Sequence, residues 1–323
     1  MASRQQFPDY VEVDYEAGAG EDPEDYPGTA RKIEKAIEVV HEGLTEYERP
    51  AVMWTGGKDS TLTLYLVKEV VEEYDLETPP TVFIDHFQHF DELLSFVDRW
   101  ADRWDQEVLF ARNDDVGDYV DAHGLDPGDE IPVAELSEHN RHHVREILEY
   151  EEDTFPFLLD TYVGNHLLKT VALNRTLEAE NIDGIVSGIR WDEQEARADE
   201  TFFSSRHDPE VYPPHDRIQP ILQFAEADVW DAFWSYVVPE SVPDYPEGHV
   251  PQDYDDLPDG VTHADLPISP KYFEGYRSLG SEISTERSDQ KPAWLQDLST
   301  EERAGRAQDK EDLMERLRDL GYM

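Results

Sequence analysis

Two stretches of the chain hold residues whose types and spacing could do chemistry. The first is Met53-Trp54-Thr55-Gly56-Gly57-Lys58-Asp59-Ser60-Thr61, between an apolar run and a helical pattern. A glycine pair in that position lets a ligand approach the backbone with no Cβ in the way. The helix that follows offers free N–H groups and the positive end of its dipole to an anion. Lys58 adds a point charge and Ser60 a hydroxyl, so the segment predicts a cradle for pyrophosphate. A Walker loop would place Ser or Thr directly after its lysine; Asp59 stands there instead and excludes that reading. The alternative is an ordinary glycine turn capped by Asp59 or Ser60.

The second stretch is Ser187-Gly188-Ile189-Arg190-Trp191-Asp192-Glu193-Gln194-Glu195-Ala196-Arg197, followed by Phe202-Phe203-Ser204-Ser205-Arg206. Guanidinium groups hold phosphate or sulfate oxygens two at a time, which an ammonium group cannot do. Arg190, Arg197 and Arg206 are therefore candidate anion ligands, the alternative being surface pairing with the chain's abundant carboxylates. His86 and His89 form an H-x-x-H after Asp85, but a zinc site takes at least three protein ligands and a third is not evident. Trp100 with Trp104, and Trp230 with Trp234, have helical spacing and read as core.

Positioning these residues requires alternating helices and strands. Ile33, Ile37, Val40 and Leu44 predict a helix from Thr29, and Pro50 introduces an apolar strand over 51–54. Leu62, Leu66, Val67, Val70, Val71 and Tyr74 share a helical face after the glycine loop; a strand follows over 81–84, a helix marked by Leu93, Phe96, Val97, Trp100 and Trp104, and a third strand over 107–111. Residues 112–160 read as an acidic loop and a helix over 139–150. A long helix is expected over 161–180, a buried strand over 184–189 ending at Arg190, and a helix over 225–237. This order predicts a doubly wound, mostly parallel α/β sheet with right-handed crossovers, whose ligands sit at the carboxyl ends of the strands. Residues 1–28 read as an acidic, loosely packed arm, 29–237 as the nucleotide-binding α/β domain, and 238–323 as a loop-and-helix extension: prolines recur over 238–270 as in a surface excursion, and a helix closes the chain over 308–320.

Of 323 residues, 75 are acidic and 27 basic, a formal net charge of −48. Self-repulsion on that scale strains a compact fold. The composition predicts a protein of a salt-in halophile, since the Debye length falls to about 3 Å at 1 M salt. Acidity of this kind disfavours DNA as a partner, because such binding releases counterions from basic surface. There is no cysteine, which removes disulfides, thiolate metal sites and thiol nucleophiles. The absence of roughly 18 continuous apolar residues and of a basic leader predicts a cytoplasmic protein with no membrane partner.

The glycine loop resembles the S-G-G-x-D-S loop of the ATP pyrophosphatases, or PP-loop proteins, with Thr55 where Ser is usual. The second stretch resembles the G-x-R-x-x-E-x-x-R region of the phosphoadenosine-phosphosulfate reductase family. Within that family Arg190, Asp192, Glu193, Arg197, Ala198 and Arg206 are similar to the small catalytic subunits of two-subunit sulfate adenylyltransferases, while Trp191 and Gln194 depart from them. The likeness continues through Ile218-Gln219-Pro220-Ile221, Ala227-Asp228-Val229-Trp230, Tyr276-Arg277-Ser278-Leu279-Gly280 and Thr300-Glu301-Glu302-Arg303-Ala304-Gly305-Arg306. Ser281-Glu282-Ile283-Ser284 replaces a Cys-containing stretch of those subunits.

The resemblance implies ATP with Mg²⁺ and sulfate as substrates, adenylylation of sulfate at the α-phosphorus, and a GTPase large subunit as partner. It assigns Gly56, Gly57, Lys58 and Ser60 to the leaving pyrophosphate, Asp59 either to Mg²⁺ or to capping the loop, and Asp85 to the ribose or metal; Thr55 and Asp59 count with the nucleotide-binding residues. Gly188 belongs to the same nucleotide site. Arg190, Arg197 and Arg206 fall to sulfate or the α-phosphate, and Arg303 and Arg306 to closure over the nucleotide or to partner docking. Lys169 matches a family lysine whose role is structural or catalytic. The family's reductases attack with a cysteine thiolate that this chain cannot supply. Two other readings remain: adenylation of a different acceptor such as a tRNA base, which calls for basic and aromatic RNA-binding surface, and a nucleotide-binding regulatory subunit without turnover.

Overall fold

Residues Ala36, Val39, Val40 and Gly43 recur at helical spacing and turn inward on α1 (Thr29–Glu46), the first long element of the computed structural model, which describes residues 6–194, 197–209 and 211–300. The chain enters β1 (Pro50–Met53), passes through residues 54–57 into α2 (Lys58–Tyr74), and continues as β2 (Thr81–Asp85), α3 (Asp91–Arg103) and β3 (Val108–Arg112). Asp75 and Gly124 end α2 and α4 (Asp114–His123) in the left-handed conformation, the usual way of satisfying the last helical carbonyls.

The stretch after β3 holds more structure than its composition suggests. Besides α4 it contains β4 (Glu130–Pro132), α5 (Glu138–His142) with a π turn over His143–Ile147, and β5 (Thr154–Pro156), antiparallel to β4. A separate apolar cluster of Val116, Ile131, Val144, Phe155, Phe157 and Leu167 holds these pieces together. The helix expected over 161–180 runs as α6 (Tyr162–Asn165), a π turn (His166–Val171) and α7 (Ala172–Glu180). Then come β6 (Gly184–Val186), β7 (Phe203–Arg206), β8 (His215–Ile218), α8 (Glu226–Ala232), a further π turn (Phe233–Val237) and α9 (Val238–Ser241).

The main sheet has the order β3-β2-β1-β6-β8-β7, parallel except for β7, which runs antiparallel to β8. Along β1, Val52 faces a core built with Val39, Val40, Leu64, Val67, Phe96, Trp100, Val186 and Ile218. Ala51 faces the opposite layer, with Val82, Ala111, Ile185, Leu177 and Ile182. Helices therefore cover both faces, as the apolar strands require. The strand order reverses between β1 and β6, and this switch point is where an open α/β sheet leaves a crevice at its carboxyl end.

Between α9 and residue 300 the chain forms short 3-10 turns whose apolar side chains do not stay outside. Leu266, Ile268, Tyr272, Phe273 and Trp294 join Leu62, Leu66, Trp230 and Phe233 in one buried cluster on the outer side of α2. At the other end of the chain Tyr10 and Tyr15 donate to Asp183 and Asp216 at 2.5 and 2.8 Å. The helix expected over 308–320 lies outside the described residues. Among the described residues no helix is long and apolar enough to cross a membrane.

Candidate phosphate site at the switch point

Gly56 has a φ of +72°, and a Cβ there would lie 2.7 Å from Leu93 Cδ1. Both the left-handed turn and the close packing on α3 thus demand glycine. Ser60 organises the loop from inside: its Oγ accepts from the Thr55 N–H at 3.1 Å and donates to the Gly57 carbonyl at 3.1 Å. The Thr55 hydroxyl lies 3.1 Å from the same Oγ, so threonine serves where the family motif has serine. Trp54 Nε1 donates to Thr61 Oγ1 at 3.0 Å and fastens β1 to the first turn of α2. At the helix N-terminus the Lys58 N–H donates to the Tyr272 hydroxyl at 2.8 Å, the oxygen of a residue 214 positions away.

The carboxyl end of β6 meets this loop directly. A Cβ on Gly188 would stand 2.7 Å from the Asp59 carbonyl and 2.7 Å from Thr63 Oγ1, so only glycine admits the approach. Two residues on, the Arg190 side chain is 1 % exposed. It reaches Asp59 Oδ1 through Nη1 and Asp192 Oδ1 through Nε at 2.8 Å. The ion pairs continue inward. Lys58 Nζ, also 1 % exposed, lies 3.2 Å from Asp59 Oδ2 and 3.8 Å from Glu226 Oε1, and donates to the Arg277 carbonyl at 3.3 Å. Glu226 Oε2 binds the Arg277 guanidinium at 2.6 and 2.8 Å, and the Glu226 N–H donates to Asp192 Oδ2 at 2.9 Å.

A ladder of alternating charge, Asp192–Arg190–Asp59–Lys58–Glu226–Arg277, therefore underlies the loop. Each buried charge faces its opposite, which is the condition for burying charge at all. Of its members only Lys58, Asp59 and Arg190 are in the set of site residues expected from sequence. Glu226 and Arg277, with Tyr272 above them, are additions; Glu226 immediately precedes, and Arg277 lies within, stretches that carry the family likeness, a signal that could have found them. Both carboxylate oxygens of Asp59 are engaged by cations, so in this arrangement Asp59 bridges Arg190 and Lys58 and does not present a ligand to a protein-held Mg²⁺. Among the described residues no group of three His, Cys, Asp or Glu side chains is placed to hold a metal.

The other expected residues lie apart from the ladder. Asp85 ends β2 and is tied to Arg112 Nη2 at 2.7 Å and to the Phe87 N–H at 3.0 Å. His86 and His89 stack with ring centres 3.6 Å apart; burial pulls them down to about 2 and about 4, so both are neutral at pH 7. Arg197 pairs with Glu200 at 3.4 Å, and Arg206 donates to the Ser205 carbonyl at 2.9 Å at the end of β7. Neither joins Arg190. Arg303 and Arg306 lie outside the described residues.

Comparison with known proteins agrees with this architecture. The chain matches the phosphoadenosine phosphosulfate reductase domain family over residues 49–126 and 138–245. It is 25 % identical over 237 residues to a sulfate adenylyltransferase subunit 2 of Rhizobium sp. (strain BR816), covering 67 % of this chain and 66 % of that protein. It is 26 % identical over 215 residues to the subunit 2 of Mycobacterium sp. (strain KMS), covering 61 % and 58 %. This chain thus spans somewhat under two thirds of the length of these relatives. The phosphoadenylyl-sulfate reductase of Candida auris, solved as a phosphate complex, superimposes with a TM-score of 0.50 at 13 % identity over 78 % of this chain and 90 % of that one, a likeness of fold. The family match covers more than half of the chain, and it takes in both the glycine loop and the strand edge that packs on it: the protein belongs to the phosphoadenosine phosphosulfate reductase domain family.

Proposed function

We propose that the protein adenylylates sulfate, with ATP as the nucleotide. The observation that carries this reading is the glycine loop at the sheet's switch point, with Lys58 at the helix N-terminus behind it, in a chain whose relatives are named sulfate adenylyltransferase subunit 2. A sulfate oxygen attacks the α-phosphorus in line, the α–β phosphoanhydride bond breaks, and pyrophosphate leaves with the electron pair and its charge. Chemistry of this kind is mostly positioning and charge stabilisation. The backbone of Gly56 and Gly57 and the N-terminus of α2 receive the leaving pyrophosphate, Ser60 keeps the loop in shape, and Lys58 supplies a positive charge to it. Gly188 brings the edge of β6 against the loop. Arg197 and Arg206 serve the acceptor, Arg190 holds Asp59 in place beneath the loop, and Asp85 serves the ribose. Mg²⁺ enters with the nucleotide phosphates, where it offsets their charge.

The absence of cysteine supports transfer over reduction, because no thiolate is present to attack a sulfonucleotide. We further propose a second subunit as partner, a GTPase that drives the uphill formation of a sulfate–phosphate anhydride. Product analysis tests the reaction type: incubation with ATP labelled at the γ-phosphate should give labelled pyrophosphate and no ADP. Release of ADP with orthophosphate would refute cleavage between the α- and β-phosphorus.

A further inference from the structure

β7 and β8 carry a second group of positive side chains, away from the charge ladder. Antiparallel pairing sets Ser204 opposite Arg217 and Arg206 opposite His215, so Arg206 and Arg217 stand on one face as diagonal neighbours, within reach of long side chains. Arg197 enters the same group through Glu200. Its Nη1 lies 3.4 Å from Glu200 Oε1, while the other Glu200 oxygen accepts at 3.3 Å from Gln219, two residues beyond Arg217. The parallel register of β6 and β8 sets Ile185 opposite Arg217, and Ser187 follows two residues on, at the carboxyl end of β6. Ser187 is followed directly by Gly188, which packs on the first turn after the glycine loop.

Glu200 pairs with Arg197 alone, and among the described residues Arg206 and Arg217 make no ion pair with any acid. Arg197 Nε and Ser187 Oγ are buried without a hydrogen-bond partner there. Burial, together with the Arg206 and Arg197 charges, pulls Arg217 down to about 10, and His215 is held neutral with a value of about 4 by burial and by the neighbouring cations. In a chain of net charge −48, partly buried cations with unmet donors and a shortage of acids are in want of an anion.

We infer that Arg197, Arg206 and Arg217, with Ser187, form the subsite for a tetrahedral dianion, the sulfate acceptor. This assignment rests on the adenylyltransferase reading, and it separates the roles of the arginines: Arg190 is spent on holding Asp59 and Asp192, while the β7–β8 group meets the acceptor. Three guanidiniums can share the four oxygens of sulfate through paired N–H donors.

Equilibrium dialysis of radiolabelled sulfate against the full chain tests the subsite, in multimolar KCl with and without a non-hydrolysable ATP analogue. Arg217→Gln and Arg206→Gln should each weaken sulfate binding by about 10-fold or more, the value of one charge-assisted hydrogen bond, while leaving affinity for the ATP analogue unchanged. Arg217→Lys, which preserves charge and is the gentler change for folding, should also lose sulfate affinity. Variants that bind sulfate like the wild type, or a wild type that takes up no sulfate under either condition, would overturn the subsite. Loss of ATP-analogue affinity with sulfate affinity intact would assign the arginines to nucleotide phosphate and overturn it equally. Failure of the adenylyltransferase reading shows separately, as no pyrophosphate from a wild type whose sulfate binding is intact and Arg217-dependent.

Discussion

At the scale of single residues, the ladder from Asp192 to Arg277 explains how the glycine loop can carry a lysine that is almost wholly buried. Lys58 is balanced by Asp59 and Glu226, and each of those acids by an arginine. Removing one partner of such a set leaves the other charged and unsolvated, so Glu226→Ala should destabilise the protein by about 3–5 kcal/mol, read as a drop in Tm. A Tm unchanged from the wild type would show that solvent reaches Lys58 and Arg277. Lys58→Ala should cost about 10² to 10³ in turnover if the ammonium stabilises departing pyrophosphate; a rate like the wild type's would remove the loop lysine from the reaction. The loop itself was legible in the sequence because Gly56, Gly57, Lys58 and Ser60 act through neighbours in the chain. Tyr272, Glu226 and Arg277 were not, because each meets the loop only after 160 or more residues of chain have folded back upon it.

Between elements, the decisive contact is the approach of β6 to α2. Gly188 stands where any Cβ would press on the Asp59 carbonyl and Thr63, so Gly188→Ala must push the edge of β6 off the first helical turn. We expect a stability loss of about 1–3 kcal/mol and a larger proportional loss of turnover, since Arg190 and Asp59 would move apart. Pyrophosphate release and a melting curve on the same preparation check both, and equal turnover would show that the contact has no part in catalysis. The alternation of helices and parallel strands followed from apolar periodicity, which β1, β2 and β6 display plainly. β7 and β8 escaped it because Phe203-Ser204-Ser205-Arg206 and His215-Asp216-Arg217-Ile218 are short and polar, and a strand with so few apolar residues does not look like a core strand. The hairpin of β4 and β5 escaped for another reason: its members are three residues long and 22 apart, and their pairing depends on a cluster assembled from α4 to the π turn at His166.

For the molecule as a whole, charge sets the conditions under which the fold and its chemistry are observable. At −48 the folded chain should lose stability on dilution to about 50 mM salt, where screening weakens and repulsion reaches well beyond neighbouring charges; a Tm independent of KCl would contradict the halophilic reading. Acid should act through histidine. His86, His166, His89, His143 and His215 are held by burial at about 2, 3, 4, 4 and 4, below the unfolded value of about 6.5. The unfolded chain therefore binds more protons, and stability that is complete above pH 6.5 declines as pH falls from there toward 4, by on the order of 1 kcal/mol per histidine for each pH unit. Melting in multimolar KCl between pH 7.5 and 5 should show the decline; a Tm that rises on acidification would place these rings in water. The central claim is tested most directly by pyrophosphate release from Mg·ATP in multimolar KCl, with sulfate, molybdate or neither. Molybdate belongs in the assay because its adenylate hydrolyses at once and draws the reaction forward without a partner subunit. Release that depends on the oxyanion is the predicted result. No oxyanion-dependent release from folded protein that binds ATP would contradict the account.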